Sequence, residues 1–249
     1  MRIVVIEGST QLFAQVPRAV LDVAPNNVWG EAAAPLQQLQ ADLTHGHDVA
    51  VLSRHGQAHE YAPHQINYRA NVQMLADWQA DLIIGTYTVG GIDPELGVGQ
   101  LILPDQLIDY TWGRPSTFDD ELRHIEFSLP FSESWRQRLL AAGPASGLSL
   151  TDGGVYGATQ GPRLETIAEV RRLAQDGCTV VGMTGMPEAA LCRELALPFV
   201  NLSLVVNPAA GVGDAAAGAD EIDMDALMQA SKAGAVAIEG LLAAFFQQV

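Results

Sequence analysis

The feature that most constrains the fold is a series of short apolar runs, rich in β-branched residues and separated by segments of helical spacing. Runs that are apolar throughout are typical of parallel strands buried on both faces of a sheet. We therefore predict strands at IVVI (3–6), VAVLS (49–53), DLIIGTY (81–87), TVVGM (179–183) and FVNLSLVV (199–206).

Helical spacing falls between these runs. It predicts helices at INYRANVQMLADW (66–78), TIAEVRRLAQD (166–176) and PEAALCRELA (187–196), and a last helix over about residues 221–246. Strands that alternate with helices favour a mostly parallel sheet. We predict an α/β fold, with residues 1–249 forming a single domain in which helices flank a mostly parallel, twisted central sheet.

Composition narrows the classes of partner. The chain has 249 residues, of which 48% are hydrophobic, and its net charge is −16. The apolar content supplies a large core and excludes a disordered chain. The negative field repels nucleic acid and anionic membrane, so neither is expected as a partner. An anionic substrate therefore needs a local cluster of donors.

Neither the cysteines nor the chain ends indicate a metal, an export signal or a membrane anchor. Cys178 and Cys192 lack CxxC or metal-ligand spacing, which favours buried, reduced thiols in a cytoplasmic protein. The N-terminal MRIVVIEG enters a predicted strand directly, without the pattern of a signal peptide. The apolar C-terminal stretch is interrupted by Glu239 and Gly240, so it is not predicted to span a membrane.

Polar residues follow the predicted strands at the ends where ligands bind in sheets of this kind. They are Ser9 after the first strand, Arg54 and His55 after the second, Tyr87 and Thr88 at the third, Thr184 after the fourth, and Asn207 after the fifth. The Gly/Ala-rich segment 209–220 precedes the last helix and is typical of a mobile loop near a site. We predict a ligand site at this edge of the sheet.

Taken singly, these clusters leave alternatives open. EGST (7–10) offers backbone N–H groups and a hydroxyl to an anion, although a plain turn explains it better. Arg54, followed by a histidine that adds a donor, provides a planar charged fork that suits phosphate. The glycines of TYTVGGI (86–92) fit either a close approach of the backbone to a ligand or a tight turn. His59 and His64 lie nearby, but no tetrahedral ligand set is visible, which favours structural or interface roles for them over metal binding.

The stretch GPRLETIAE (161–169) contains one carboxylate without an evident role. Thr166 and Glu169 have the spacing of a capping box, which predicts that a helix starts here. Glu165 lies one residue before the cap, where the helix dipole favours a carboxylate slightly. At this level, ligand binding explains Glu165 equally well.

No GxSxG, HExxH, CxxC or paired-carboxylate pattern stands out in the sequence, and no covalent nucleophile has an obvious base. Direct substitution between two bound substrates would fit this pattern.

Seven motifs in order resemble one enzyme family. They are RHG (54–56), PHQINYRAN (63–71), VGGI (89–92), PDQLIDYT (104–111), GPRLET (161–166), VGMTGMPEAAL (181–191) and VVNPAAG (205–211). The chain resembles the trimeric purine nucleoside phosphorylase and methylthioadenosine phosphorylase family, and within it the bacterial S-methyl-5′-thioinosine phosphorylases. The resemblance implies a homotrimer and a reversible phosphorolysis, in which phosphate attacks C1′ of a nucleoside and the purine leaves. It implies no metal or organic cofactor, with inorganic phosphate as a co-substrate.

The resemblance also implies roles for individual residues. Glu165, Asn207 and His55 match catalytic positions. Phosphate-binding positions fall on Ser9, Arg54, His55, Tyr87, Thr88 and Thr184. Substrate-binding positions fall on Leu164, Glu165, Met183, Asn207, Met224, Leu227 and Met228, the last three lining the pocket for the 5′ group, and on His124, which would reach into a neighbouring subunit's site.

Hydrogen-bond patterns predict which base is bound. A 6-oxopurine presents N1–H, which the Glu165 carboxylate accepts, while Asn207 donates to O6 and accepts from a protonated N7. Adenine presents a lone pair at N1, which a carboxylate repels. We predict S-methyl-5′-thioinosine as the substrate, giving hypoxanthine and 5-methylthioribose 1-phosphate in purine salvage. A general 6-oxopurine (inosine or guanosine) nucleoside phosphorylase is the alternative.

The chain departs from the family at the predicted phosphate site. Its first loop reads EGST (7–10) where relatives have a GGTG-like loop, and Glu7 brings a negative charge there. Tyr87 stands where relatives commonly have Asn or Thr. These changes leave another hypothesis open, a nucleoside-binding homologue with impaired phosphorolysis.

Overall fold

The fold is that of a computed structural model, in which the structure is described for residues 1–113, 115–213 and 222–249. The strands are β1 (Arg2–Glu7), β2 (Arg18–Val20), β3 (Asn26–Asn27), β4 (Gly30–Glu31), β5 (Gln37–Leu39), β6 (Asp48–Ser53), β7 (Leu82–Gly91), β8 (Leu101–Leu103), β9 (Gln106–Asp109), β10 (Thr151–Asp152), β11 (Val155–Ala158), β12 (Val180–Gly182) and β13 (Phe199–Pro208). The α-helices are α1 (Tyr68–Asp77), α2 (Glu133–Ala142), α3 (Ile167–Gln175), α4 (Gly185–Glu194) and α5 (Met224–Gln248). The predicted loop 209–220 lies in part outside the described residues, as does Glu221, where the sequence predicts that the last helix begins.

Four parallel strands form the centre of the main sheet, in the order β6–β1–β7–β13. They correspond to four of the five strands that the sequence predicts, and β12 is the fifth. Antiparallel pairing extends the sheet at both sides, through β5 and β2 beyond β6 and through β8 beyond β13. The predicted α/β fold with a mostly parallel central sheet is confirmed.

The second half of β7 bends into another arm of the sheet. There Gly90 pairs with Val181 of the antiparallel β12, and β11 and β9 follow in parallel. A Cβ at Gly90 would lie 3.3 Å from Val181 Cγ1, and one at Gly91 would lie 3.2 Å from Val205 Cγ1. The two glycines therefore permit close packing of neighbouring strands.

Local signals explain where two of the helices begin. The Asn67 side chain caps α1 and accepts from the N–H of Ala70. At α3 the predicted capping box is confirmed, because Thr166 accepts from the N–H of Glu169 and Glu169 accepts from the N–H of Thr166. The sequence analysis does not predict α2, in which three residues are buried, so that its periodic signal is weak.

Alternate strand residues divide the core between the two faces of the sheet. One face packs against α1 and α4, and the other packs against α2 and α5. Phe245 and Phe246 of α5 are fully buried on the second face. Burial of an aromatic side chain contributes roughly 1.5–3 kcal/mol to the free energy of unfolding. Helices held in this way keep the central strands, and hence the strand ends, in fixed positions.

Both cysteines are free thiols inside the protein. Burial raises the pKa of Cys178 and of Cys192, so both thiols stay protonated at neutral pH. Within the described ranges, no helix combines the length and apolar character needed to cross a bilayer.

Candidate active site

The carboxyl ends of the central strands open into a cavity of about 530 Å³, called the polar cavity below. Ligands in open α/β sheets bind at such strand ends. The lining includes eleven of the residues that the sequence singles out: Ser9, Arg54, His55, Thr88, Leu164, Glu165, Met183, Thr184, Asn207, Met224 and Leu227.

A second cavity, of about 680 Å³, adjoins the first and is called the apolar cavity. Glu165, Asn207, Met224 and Leu227 line both cavities, so they stand at the junction. Most of the other side chains around the apolar cavity carry no polar group, as at Val98, Ile167, Val206, Pro208 and Ala210. A ligand in the polar cavity can therefore extend past the Glu165 carboxylate and the Asn207 amide and reach the apolar surface beside α5.

Arg54 is 1% exposed, and its guanidinium is held on several sides. Nε and Nη2 donate to the two carboxylate oxygens of Glu188 at 2.7 and 2.9 Å, and Nη1 donates to the carbonyl of Thr86 at 2.7 Å. The Tyr87 ring packs against it, with 4.4 Å between Cζ and the ring centroid. Burial is the largest single influence and lowers the pKa of Arg54, but the charge and hydrogen bonds of Glu188, together with the nearby Tyr87 and Tyr68, raise that pKa above its ordinary value. Arg54 is thus a permanent charge in a fixed orientation.

Glu188 is a residue of the site that sequence reasoning missed. It is 1% exposed, and besides pairing with Arg54 it accepts from the Tyr87 hydroxyl at 2.5 Å. Pro187 and Glu188 open a helix, so the sequence explains them as helix-start chemistry. No local signal marks a partner that lies 134 residues away along the chain. Because the carboxylate balances the charge of Arg54, the polar cavity gains a directed set of donors rather than a strong positive field.

Tyr87 lies behind the cavity lining and not in it. Successive strand residues face opposite sides, so Thr88 lines the polar cavity while Tyr87 faces Glu188 of α4. Burial, followed by the nearby Glu188 carboxylate, raises the pKa of Tyr87, and the phenol remains a donor. Gly85 makes room for it, because a Cβ there would lie 2.4 Å from the Tyr87 hydroxyl. The geometry therefore gives Tyr87 a contact with Arg54 in place of the direct phosphate contact that the sequence predicts.

His55 lines the polar cavity as a neutral imidazole. Burial, and then the charge of Arg54, lower its pKa from 6.5 to about 4. Its Nδ1 lies 2.7 Å from the carbonyl oxygen of Tyr61, which only accepts, so Nδ1 carries the ring proton. Nε2 is left as an acceptor, whereas the sequence analysis expects His55 to add a donor. His59 stacks beside His55, with 4.5 Å between the ring centroids.

Two glycines allow lining side chains to come close to the backbone. A Cβ at Gly8, in the turn after β1, would lie 2.7 Å from Arg54 Nη1. A Cβ at Gly161 would lie 2.6 Å from Met183 Sδ, and the φ of +63° at Gly161 also favours glycine. Gly8 of EGST therefore allows the Arg54 side chain to pack directly against this turn.

Glu7 is directed away from the polar cavity. Its Oε1 accepts from Ser53 Oγ at 2.6 Å and from Arg18 Nη1 at 3.4 Å, and its Oε2 accepts from the N–H of Leu12 at 2.8 Å. It lines a separate cavity together with Arg18 and Ser53. The negative charge that the sequence analysis expects near phosphate is thus satisfied elsewhere.

The loop after β1 is also fastened to α5. The hydroxyls of Thr10 and Ser231 are buried and lie 2.6 Å apart. The N–H of Phe13 donates to Glu239 Oε1 at 2.5 Å. The loop that carries Ser9 is therefore held to the helix whose first turns line both cavities.

Glu165 is half-buried where the two cavities meet. Its Oε1 accepts from Thr159 Oγ1 at 2.6 Å. The next residue, Thr166, caps α3, and Arg163 pairs with Glu169 of the same capping box. The box fixes the backbone beside Glu165 and leaves the Glu165 carboxylate to Thr159 and to a ligand.

A bulge in β13 sets the position of Asn207. Pairing with β7 holds up to Val205 and resumes at Asn207, so Val206 is an extra residue on β13. Bulges of this kind redirect side chains beside functional sites. Asn207 Nδ2 donates to the carbonyl of Pro208 at 2.6 Å, which leaves Oδ1 and the second amide proton for a ligand.

Comparison with known proteins identifies the family. The model of the phosphorylase superfamily matches residues 7–243, which include every site residue described above. The chain belongs to the phosphorylase superfamily.

Individual relatives of this phosphorylase span most of its length. A probable S-methyl-5′-thioinosine phosphorylase of Pseudomonas syringae pv. tomato is 52% identical over 194 residues, which cover 76% of this chain and 79% of that protein. A 6-oxopurine nucleoside phosphorylase of Pyrococcus furiosus is 41% identical over 174 residues, covering 66% of each chain. Methylthioadenosine phosphorylase from Schistosoma mansoni, solved in complex with tubercidin, matches with a TM-score of 0.85 at 25% identity, over 99% of this chain and 91% of that one.

Besides Tyr87, two predicted site residues lie outside both cavities of this phosphorylase. Met228 is exposed on α5, although Met224 and Leu227 of the same helix line both cavities. His124 is exposed in segment 121–130, which has no regular secondary structure. Neither side chain reaches the site within one chain.

Proposed function

We propose that this protein catalyses the phosphorolysis of a 6-oxopurine nucleoside and that S-methyl-5′-thioinosine is its main substrate. The observation that carries the proposal is the position of Glu165 and Asn207, which stand together between a polar cavity that holds Arg54 and an adjoining apolar cavity. The names of the relatives from Pseudomonas syringae and Pyrococcus furiosus support the same class of base.

Phosphate binds at the Arg54 end of the polar cavity. Arg54 retains N–H protons that Glu188 and Thr86 do not use, and Ser9, Thr88 and Thr184 bring hydroxyl groups to the same lining. The neutral His55 has an acceptor at Nε2, so it receives the P–OH of the hydrogen phosphate dianion. This directs the protonated phosphate oxygen towards His55 and leaves unprotonated oxygens for attack.

The reaction is a direct substitution at C1′ of the nucleoside. A phosphate oxygen forms a bond to C1′ while the bond from C1′ to N9 breaks, and the electron pair of that bond passes to the purine. Positive charge develops on the sugar and negative charge on the base, so positioning and electrostatic stabilisation carry the catalysis. Asn207 donates to O6 and accepts from N7 once solvent has protonated it, and the base leaves as neutral hypoxanthine.

Glu165 selects the base. Its carboxylate accepts N1–H of a 6-oxopurine, whereas adenine would place a lone pair against it. A site that satisfies one hydrogen-bond pattern rejects the other strongly. The apolar side chains of Met224 and Leu227 favour a 5′-methylthio group, because a 5′-hydroxyl buried there would lose its hydrogen bonds to water. A general inosine or guanosine phosphorylase differs from this proposal in that 5′ pocket.

We also propose that each subunit is a single domain over residues 1–249 and that the enzyme acts in the cytoplasm as a homotrimer. His124 then enters the neighbouring subunit's site. Leu122 and Leu129, on the same irregular segment, are exposed large apolar side chains, which a neighbouring subunit would remove from water. His124→Ala should lower activity while the mass measured by light scattering stays trimeric.

A nucleoside-binding homologue with impaired phosphorolysis is the second candidate, because Tyr87 and the EGST loop depart from the family pattern. The Tyr87 side chain contacts Arg54 from behind, and Glu7 is paired outside the cavity. Neither side chain therefore occupies the phosphate end of the polar cavity, so neither departure is a reason to expect weak phosphate binding. We rank this candidate below the enzyme.

A substrate panel assayed with and without phosphate tests the proposal. We expect hypoxanthine release that requires phosphate, with kcat/KM highest for methylthioinosine, lower for inosine and lowest for methylthioadenosine. Glu165→Gln should reduce the preference for the 6-oxopurine. Nucleoside binding without turnover would favour the second candidate, and best turnover of methylthioadenosine would contradict the roles of Glu165 and Asn207.

A further inference from the structure

We propose that Thr159 sets the base preference of this site, as a positioning residue that holds the carboxylate of Glu165. The inference rests on the proposed function, in which Glu165 accepts N1–H of a 6-oxopurine. Thr159 lies in none of the motifs that carry the family resemblance, and it is found through its contact with Glu165.

The backbone of Thr159 is fixed by the sheet. Thr159 directly follows β11, and its N–H donates to the carbonyl of Gly182 at 2.9 Å, which continues the pairing of β11 with β12. Its side chain is β-branched and therefore has few χ1 rotamers. The direction of the Thr159 hydroxyl is thus set by a rigid element.

The single proton of this hydroxyl goes to Glu165. Thr159 Oγ1 lies 2.6 Å from Glu165 Oε1 and 3.5 Å from the carbonyl oxygen of Gly182. Both of these oxygens can accept, and the hydroxyl has one proton to donate. The shorter contact, to a carboxylate, has the length of a charge-assisted hydrogen bond. Thr159 is therefore the donor in this pair.

Glu165 needs such a partner because its own surroundings do not fix it. It lies in the connection between β11 and α3, outside any strand or helix, and a glutamate side chain loses considerable rotamer freedom when it is ordered. In the described part of the chain, Thr159 is the group found donating to this carboxylate, since Arg163 pairs with Glu169. With Oε1 engaged, Oε2 is the oxygen left for a ligand.

The consequence concerns discrimination as well as rate. A carboxylate held in one orientation accepts N1–H and repels the N1 lone pair of adenine. A carboxylate free to rotate can turn away from either base. Loss of the Thr159 hydroxyl should therefore reduce the ratio of kcat/KM between 6-oxopurine and 6-aminopurine nucleosides, although Thr159 itself touches no reacting atom.

Three variants test this. Thr159→Val removes the hydroxyl at nearly constant volume, and Thr159→Ser restores it. Thr179→Val is the matched control, because the Thr179 hydroxyl accepts from the N–H of Val155 at the other end of β11, away from both cavities. For each variant, kcat and KM are measured with methylthioinosine, methylthioadenosine and phosphate, and the Kd of hypoxanthine is measured by calorimetry.

Thr159→Val should lower kcat/KM for methylthioinosine by about tenfold or more. This is the fold-change that corresponds to the loss of one hydrogen bond to a charged group. The loss should fall on the KM of the 6-oxopurine nucleoside and on hypoxanthine affinity, and the KM of phosphate should stay unchanged. Thr159→Ser and Thr179→Val should keep the wild-type preference. Thermal unfolding checks that each variant is folded, and Thr159→Ala repeats the test if the valine variant is not.

The outcomes separate this inference from the proposed function. If Glu165→Gln loses base preference while the folded Thr159→Val or Thr159→Ala keeps it, Thr159 is not a positioning residue and the proposed function stands. If Glu165→Gln keeps the preference as well, the proposed role of Glu165 fails first. Equal losses in Thr159→Val and Thr179→Val, or no rescue by serine, would assign the effect to local packing and overturn the inference.

Discussion

Replacement of Glu188 by glutamine should destabilise the protein strongly. Arg54 and Glu188 are each 1% exposed and share hydrogen bonds of 2.7 and 2.9 Å. Removing one partner of a buried pair leaves an uncompensated charge, which costs about 3–5 kcal/mol. In a chain of this size each kcal/mol moves Tm by about 2–4 °C, so the variant should melt about 6–20 °C below the wild type.

Phosphate should restore part of that loss. Arg54 lines the polar cavity, so a phosphate bound there supplies the missing negative charge beside the guanidinium. A ligand at a hundredfold excess over its Kd stabilises the folded state by about 2.7 kcal/mol. The Tm of Glu188→Gln should therefore rise more with phosphate than the Tm of the wild type, in which Arg54 is already paired.

Thermal unfolding followed by circular dichroism, in chloride and in phosphate at equal ionic strength, measures both effects. The double variant Arg54→Met, Glu188→Gln removes both charges. It should be more stable than Glu188→Gln alone and indifferent to phosphate. A Tm loss below about 3 °C in the single variant, less than about 1.5 kcal/mol, would refute the reasoning. So would an equal phosphate response in the wild type and Glu188→Gln.

Three other predictions concern neighbouring parts of the site. Tyr87→Phe removes the hydroxyl that donates to Glu188 at 2.5 Å and should cost about 1.5–3 kcal/mol, and an unchanged urea midpoint would contradict this. Because the pKa of His55 is lowered from 6.5 to about 4, the unfolded state takes up this proton first as the pH falls. Stability should be full above pH 6.5 and fall by up to about 3 kcal/mol towards pH 4, and urea unfolding of His55→Gln should lack that contribution. Leu227→Ala should lower the preference for methylthioinosine over inosine by about tenfold, whereas Val236→Ala, on an exposed part of α5, should leave the ratio of kcat/KM unchanged.

The elements predicted well from the sequence are those with strong local signals. β1, β6, β7 and β13 are long apolar runs, and α3 has a complete capping box. β8 to β11 are short, at two to four residues each, and α2 has little apolar periodicity, so local patterns do not mark them.

The site divides in the same way. Strand ends meet at one edge of a parallel sheet, so the polar residues at the ends of the strands could be expected to gather there, and all of them except Tyr87 line one cavity. The direction of each side chain could not be predicted in this way. Glu7 and Tyr87 carry suitable chemistry at suitable positions, yet both face away from the cavity towards partners of their own.

The sequence by itself therefore determined the class of fold, the edge of the sheet where the polar cavity opens and most of the residue types that line this cavity. Those features follow from local periodicity and from the geometry that all parallel sheets share. Only the tertiary structure decided that Glu188 balances Arg54, that Thr159 holds Glu165 and that a bulge places Asn207. Each of these features depends on one hydrogen bond between distant parts of the chain or on one inserted residue in a strand. No local pattern in the sequence shows which residues will meet in this way.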